Sequence, residues 1–259
     1  MCAFSRRAGN GVREDPAAEL KGRIAAAQSV FVLTGAGMSA ESGIATFRDA
    51  MTGLWSRFDP AQLASEEGFR ADPARVWDWY AERRAGVRAA LPNPGHLALG
   101  AFARRRPGVL TLVSQNVDDL HQRAGNTDTI RLHGDIQRDQ WLDRCARSPA
   151  CATREARQGR PPTCARCGNL VRPGVVWFGE MLPAEAIDAA ERAARSSDVA
   201  LIVGTSGAVW PAAGLASLAR RGGAFVAIVN PNGSDIDEEA HTVLRSTAAL
   251  ALPPMLAAD

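Results

Sequence analysis

Six short apolar runs recur along the chain, at 30–33, 109–114, 129–132, 175–178, 199–203 and 224–229, each closed by glycine or small polar residues. Alanine-rich stretches of helical character fall between several of them, at 20–28, 94–105, 184–195 and 211–221. A strand that is apolar throughout has to be covered on both faces, and helices alternating with such strands provide that cover. The pattern therefore confines the chain to an α/β fold built on a parallel sheet. Two stretches break the alternation. The segment 49–92 is helical in character but aromatic, with Trp55, Trp77, Trp79 and Tyr80, and Asp72-Pro73 marks a helix start inside it. The segment 137–171 is rich in Arg, Cys, Pro and Gly and has little apolar periodicity, as expected of a small inserted module. Residues 1–19 read as a polar tail.

Composition excludes several classes of function. Of 259 residues, 46% are apolar and 22% charged, and the formal net charge is only +2, so no basic field invites nucleic acid. Arginine supplies nearly all the positive charge, Lys21 being the sole lysine. No apolar run approaches the ~18 residues of a membrane span. Residues 1–19 carry Arg6, Arg7 and Arg13 without an apolar core, so no secretory signal is expected. A soluble cytoplasmic enzyme is the expected class, with a monomer favoured. Five cysteines are present, four of them between 145 and 167, and such a cluster reads as a metal site before it reads as disulfides. Cys164-x2-Cys167-Gly168 has the spacing of a zinc knuckle, while Cys145 and Cys151 are more widely spaced than a usual first pair. Four thiolates would leave a zinc ion no open position, so its role would be structural.

Polar residues stand where the apolar runs end. Gly35-Ala36-Gly37-Met38-Ser39 follows the first run, and glycines before a helix start let backbone amides approach a phosphate. The acidic residue that a dehydrogenase carries about 20 positions further on is missing. Ser114-Gln115-Asn116-Val117-Asp118 follows the second run, and His133-Gly134 follows the third. Buried polar groups of this kind cost free energy unless they have partners, and a neutral imidazole is suited to take a proton near pH 7. Gly204-Thr205-Ser206 and Asn230 close two later runs. Jointly these strand ends define one crevice at a sheet edge.

In this order the motifs resemble those of the sirtuins, the NAD-dependent protein lysine deacylases. The matching pieces are GAGMSAESGIATFRD (35–49), QNVDDLH (115–121), HG (133–134), CARCG (164–168), RPGVVWFGE (172–180), GTS (204–206) and VN (229–230). The resemblance implies a Rossmann-like NAD-binding domain formed by 20–48, 93–136 and 172–259. It also implies a small domain formed by a helical module, 49–92, and a zinc-binding module, 137–171. Carried over residue by residue, Gly35, Ala36, Gly37, Gly204, Thr205 and Ser206 would line the pyrophosphate and Asn230 the adenosine ribose. Phe47 and Arg48 would lie on a cofactor loop, in which Ala45 stands where the family often has proline. Gln115 and Asn116 would hold the nicotinamide ribose, with Asn116 close to the chemistry, and Asp118 the carboxamide. His133 would be the general base. Val176, Trp177 and Phe178 would border the acyl-lysine tunnel, and Cys145, Cys151, Cys164 and Cys167 would hold one zinc. In the implied reaction, acyl-lysine proteins or peptides are deacylated, with NAD consumed and nicotinamide and O-acyl-ADP-ribose released.

Within the helical module, Tyr80 and Arg83 are three residues apart and share one helix face, so a phenol and a guanidinium converge. That pair suits a carboxylate. Tyr-x-x-Arg at this place is similar to the sirtuin subgroup acting on succinyl- and malonyl-lysine, and Ala64 to the small residue that leaves room for the longer acyl chain. A dehydrogenase would give His133 and the cysteines no role, and a zinc-ribbon interaction module would not explain 35–49 or 115–134. An NAD glycohydrolase or ADP-ribosyltransferase on the same scaffold shares the first half of the chemistry and is the nearest rival.

Overall fold

The computed structural model describes residues 15–44, 59–143 and 156–258. Six parallel strands make the main sheet: β1 (Val30–Thr34), β2 (Leu110–Ser114), β3 (Ile130–Arg131), β6 (Val199–Val203), β7 (Phe225–Val229) and β8 (Thr242–Leu244). Their spatial order is β3-β2-β1-β6-β7-β8. The chain winds outward from β1 through β2 to β3 and then returns to the other side of β1 as β6. In open α/β sheets a crevice forms at such a reversal, beyond the carboxyl ends of the strands.

Alternate residues of each central strand enter two different cores, which is why these strands read as unbroken apolar runs. Val30, Val32, Leu201 and Val229 pack against α1 (Pro16–Ala26), α6 (Pro94–Arg105) and α10 (Ala248–Leu256) through Leu20, Leu99 and Leu252. Phe31, Leu33, Ile202 and Ile228 pack against α8 (Ala184–Arg195) and α9 (Gly214–Arg221) through Ala190, Ala194, Leu215 and Ala219. The many alanines allow these helices to lie close to the sheet. A third core joins α3 (Pro60–Leu63), α4 (Glu66–Ala71) and α5 (Pro73–Ala89) to an antiparallel pair, β4 (Gly134–Trp141) and β5 (Val171–Val175). Phe69, Val76, Trp79, Tyr80, Ile136 and Trp177 fill it. Asp72 caps α5 by accepting from the Arg75 amide at 3.0 Å, with Pro73 in the first turn, as expected.

Several expectations need correction. Helix α1 begins at Pro16, capped by Asp15, so residues 16–19 are helical rather than tail. The run 175–178 is not a strand: β5 ends at Val175, and the next residues leave the pair to reach α3 and α4, where the Phe178 amide donates to Ala64 O at 2.9 Å. Helix α10, which has no counterpart among the expected elements, forms with Pro253 and Pro254 inside it, residues that ordinarily disfavour a helix interior. Strands β4 and β8 are exposed or half-buried for most of their length and lack an apolar run. No helix among the described residues is long and apolar enough to cross a membrane.

Two contacts beneath the crevice have measurable consequences. The first is a backbone crossing. The Gly37 amide donates to Gly204 O at 2.8 Å, and Gly204 has φ +62°. A Cβ on Gly204 would fall 2.4 Å from the Met38 nitrogen, and one on Gly35 2.8 Å from Gly204 O. Gly204→Ala is therefore expected to cost about 2–5 kcal/mol of stability, from left-handed strain plus overpacking. A Cβ on Gly86, within α5, meets nothing within 4 Å, so Gly86→Ala should gain about 0.5–1 kcal/mol from helix propensity. Denaturant midpoints measure both changes, and a Gly204→Ala variant as stable as Gly86→Ala would contradict the crossing.

The second contact is a pair of buried histidines. His96 on α6 and His121 on α7 (Leu120–Arg123) lie with ring centroids 4.8 Å apart. Thr34 Oγ1 lies 3.0 Å from His121 Nε2, and His96 Nδ1 accepts from the Asn93 amide. Burial pushes His96 from 6.5 down to about 4 and His121 to about 3. Both are neutral in the folded protein, whereas the unfolded chain takes up protons below pH 6.5. Stability is thus fully present above 6.5 and declines as pH falls, approaching about 2.7 kcal/mol per pH unit for the pair. Burial lowers His133 as well, which adds to this fall, and raises the Asp118 carboxyl, which opposes it, so denaturant titrations between pH 6.5 and 5 read chiefly the histidines. A flat stability over that range would refute the assignment.

Candidate active site

Four strands deliver polar residues to one edge of the sheet. β1 leads into Gly35-Ala36-Gly37, β2 into Gln115-Asn116, β6 into Gly204-Thr205-Ser206, and β7 into Asn230. The backbone crossing of Gly35 and Gly37 with Gly204 brings the β1 and β6 exits together. Side chains join the others: Gln115 Nε2 donates to Thr205 Oγ1 at 3.1 Å, and Asn230 Nδ2 donates to Thr205 O at 2.9 Å. Beside β1, β2 ends in neutral Ser114 and Gln115 rather than the acidic residue of a dehydrogenase.

Asn116 and Asp118 meet on a residue that the sequence reading gave no role. Ser39 Oγ donates to Asp118 Oδ2 at 2.9 Å and accepts from Asn116 Nδ2 at 3.1 Å. The Leu120 amide donates to Asp118 Oδ1 at 3.0 Å. Burial pushes the Asp118 carboxyl up, and these donors partly oppose it. Ser39 lies inside the glycine-rich motif, but the sequence does not show that it meets residues nearly eighty positions later.

His133 sits where β3 gives way to β4. Its Nδ1 is 2.7 Å from Gln115 O, a distance that makes Nδ1–H the donor and leaves Nε2 with the lone pair. Nε2 has no hydrogen-bond partner among the described residues. Burial lowers the imidazole pKa below 6.5, with the bond to Gln115 opposing. The Val176 amide donates to His133 O at 2.9 Å, so the segment after β5 is tied to this histidine.

The small module brings Ala64, Tyr80 and Trp177 into one buried cluster, with Arg83 beside it. Trp177 Nε1 donates to Tyr80 Oη at 3.0 Å. The Arg83 guanidinium lies 4.7 Å from the Trp79 ring centroid and 5.6 Å from that of Tyr80. It pairs with no carboxylate among the described residues, and burial pulls its pKa down. Burial pushes the Tyr80 phenol up, with Arg83 opposing, so it remains protonated. Val176 is half-buried, and Phe178 is exposed.

In the other module, Gly168 with φ +74° closes a turn whose amide donates to Cys164 O at 2.9 Å. The turn carries Cys164, buried, and Cys167, exposed. Cys145, Cys151, Phe47 and Arg48 lie outside the described residues. Among the described residues no group of three or more His, Cys, Asp or Glu is placed to hold a metal.

Residues 35–211 match the Sir2 family. A protein of Ralstonia nicotianae named NAD-dependent protein deacylase is 55% identical over 240 residues, which cover 93% of this chain and 96% of that protein. Among solved structures, a crystal structure of a Sir2 homolog–NAD complex superposes with a TM-score of 0.81 at 40% identity, covering 92% of each chain. A structure of Sir2 bound to acetylated peptide superposes with a TM-score of 0.80 at 25% identity, covering 92% of this chain and 96% of the other.

Proposed function

The chain belongs to the Sir2 family and is an NAD-dependent protein deacylase; on that premise we propose that it removes carboxylated acyl groups, succinyl and malonyl, from protein lysines in preference to acetyl. The observation that carries this reading is Arg83, a half-buried guanidinium with no carboxylate among the described residues to pair with, beside the buried Tyr80 phenol. A charge drawn partly out of water without a partner is costly, and a carboxylate arriving with the substrate supplies that partner. Ala64 contributes little bulk beside them, which suits a longer acyl chain.

The crevice fits a dinucleotide by the chemistry of its donors: hydroxyls and amides on Thr205, Ser206, Gln115, Asn116 and Asn230, with glycine backbone at 35, 37 and 204. In this proposal 35–37 and 204–206 hold the pyrophosphate, aided by Phe47 and Arg48, and Asn230 holds the adenosine ribose. Gln115 and Asn116 position the nicotinamide ribose, and Asp118 holds the carboxamide. When bound, NAD supplies an anomeric carbon that the acyl oxygen attacks as nicotinamide leaves. His133 Nε2 accepts a proton from a ribose hydroxyl, its orientation fixed by the Nδ1 bond to Gln115 O. Val176, Trp177 and Phe178 wall the acyl-lysine channel. The Cys164–Cys167 turn fits two thiolate ligands of a zinc ion, with Cys145 and Cys151 as the other two. Four thiolates saturate zinc, so its role is to hold the module together.

His133→Ala is expected to lower turnover about 100- to 10,000-fold, the usual range for a lost general base. In the wild type, the acid limb of kcat/KM should fall below pH 6.5, since burial keeps His133 neutral to lower pH. A variant retaining a tenth of wild-type turnover would remove His133 from the mechanism. Arg83→Met should lower kcat/KM on a succinyl-lysine peptide about 10- to 100-fold more than on the acetyl-lysine equivalent, the loss of one charged hydrogen bond of about 1.5–3 kcal/mol. Equal losses on both peptides would make Arg83 a folding residue and end the carboxylate reading.

A further inference from the structure

Tyr80 and Trp177 are both buried, and their polar tips face each other. The indole nitrogen is a donor only, so in this bond the tyrosine oxygen must accept. The hydrogen of the Tyr80 hydroxyl is then left over, and it finds no acceptor among the described residues. A phenol without this neighbour would be free to accept as well as to donate. With the indole N–H on its oxygen, the hydroxyl hydrogen points away from Trp177 and is available to an acceptor that the ligand brings.

The indole is itself held from the other side. Arg172 is 3% exposed, and its guanidinium carbon lies 3.4 Å from the Trp177 ring centroid. Arg172 donates to Val175 O at 2.6 Å and forms a two-pronged ion pair with Glu180, whose second oxygen receives an Arg172 N–H at 3.0 Å. That same Glu180 oxygen accepts from the Trp177 amide at 2.8 Å. Burial would raise the Glu180 carboxyl, but Arg172 and the Trp177 amide hold it below its usual range, so the pair stays ionised. One ion pair thus fixes both the backbone of Trp177 and the plane of its ring. None of these three side chains has to touch the acyl carboxylate to influence it.

We infer that Trp177, clamped by Arg172 and Glu180, is a specificity-determining positioning residue: by donating its indole N–H to Tyr80, it reserves the Tyr80 hydroxyl hydrogen for an acceptor on the acyl group. The inference rests on the carboxylated-acyl reading above. It adds that Tyr80 and Arg83 recognise an anion as two donors converging on it, and that removing the indole N–H weakens the phenol's half alone. A neutral acetyl group offers this hydroxyl no terminal oxygen, so the effect is confined to substrates that carry one.

The test is a double-mutant cycle on succinyl- and acetyl-lysine peptides of one sequence. Trp177→Phe keeps an aromatic ring over Arg172 and removes the N–H; Tyr80→Phe removes the hydroxyl. The succinyl-to-acetyl ratio of kcat/KM should fall about 3- to 10-fold in Trp177→Phe, the worth of one neutral hydrogen bond. The fall should appear chiefly as a rise in KM for the succinyl peptide relative to the acetyl peptide. In the Tyr80→Phe background, adding Trp177→Phe should leave the ratio where Tyr80→Phe alone put it. A ratio unchanged by Trp177→Phe, or one that falls by the same factor with and without the Tyr80 hydroxyl, overturns the inference. Arg83→Met, run alongside, separates the two levels. If Arg83→Met lowers the ratio and Trp177→Phe does not, only this inference fails. If neither does, the carboxylate reading fails and takes the inference with it.

Discussion

Where β1 and β6 end, two stretches of backbone cross closely enough that no side chain fits between them. Gly35 and Gly37 lie against Gly204 and Thr205, and the Gly37 amide donates across the gap to Gly204 O. Because β1 is the strand from which the sheet winds in both directions, this crossing brings polar ends from both halves of the chain to one edge. Gln115 from one half then reaches Thr205 from the other, and Asn230 closes on the same residue. The glycines are what allow the two strand exits to meet, and with them the crevice to form. His133 depends on the same arrangement, since Gln115 O, which fixes its tautomer, is held on the β2 exit that this edge positions.

The small module inherits its geometry through two backbone bonds. The Val176 amide ties the strand exit to His133, and the Phe178 amide ties it to Ala64. Between these bonds sits Trp177, in contact with Tyr80 and with the Arg172–Glu180 pair. One extended segment therefore borders His133 on one side and Ala64 and Tyr80 on the other. In the proposed function, the chemistry at His133 and the choice of acyl group would both depend on this segment.

Much of the sheet was legible because its strands are buried on both faces: β1, β6 and β7 announce themselves as apolar runs, and α6 and α8 fall within the bounds expected. What was misplaced lacked that signal. Val175 through Phe178 reads as a strand by composition, yet its partners are single amide bonds to His133 and Ala64 rather than a ladder. Helix α10 is stabilised by packing against α6 in spite of two prolines, and tertiary contact outweighs local propensity there. In the site, Tyr80 and Arg83 were visible as a pair because they share one helix. Ser39, and the bond from Trp177 to Tyr80, join residues far apart in sequence, and no local pattern encodes such contacts.

The central claim is that the buried Tyr80 phenol and the half-buried Arg83 guanidinium, which has no carboxylate partner among the described residues, select a carboxylated acyl group. The most direct measurement is competition on the unaltered enzyme: NAD with an equimolar mixture of acetyl-, malonyl- and succinyl-lysine peptides of one sequence, and mass analysis of the nucleotide products at early times. O-succinyl- and O-malonyl-ADP-ribose accumulating ahead of O-acetyl-ADP-ribose is the expected result. O-acetyl-ADP-ribose leading would contradict the acyl preference, and free ADP-ribose formed without peptide deacylation would contradict the deacylase chemistry itself.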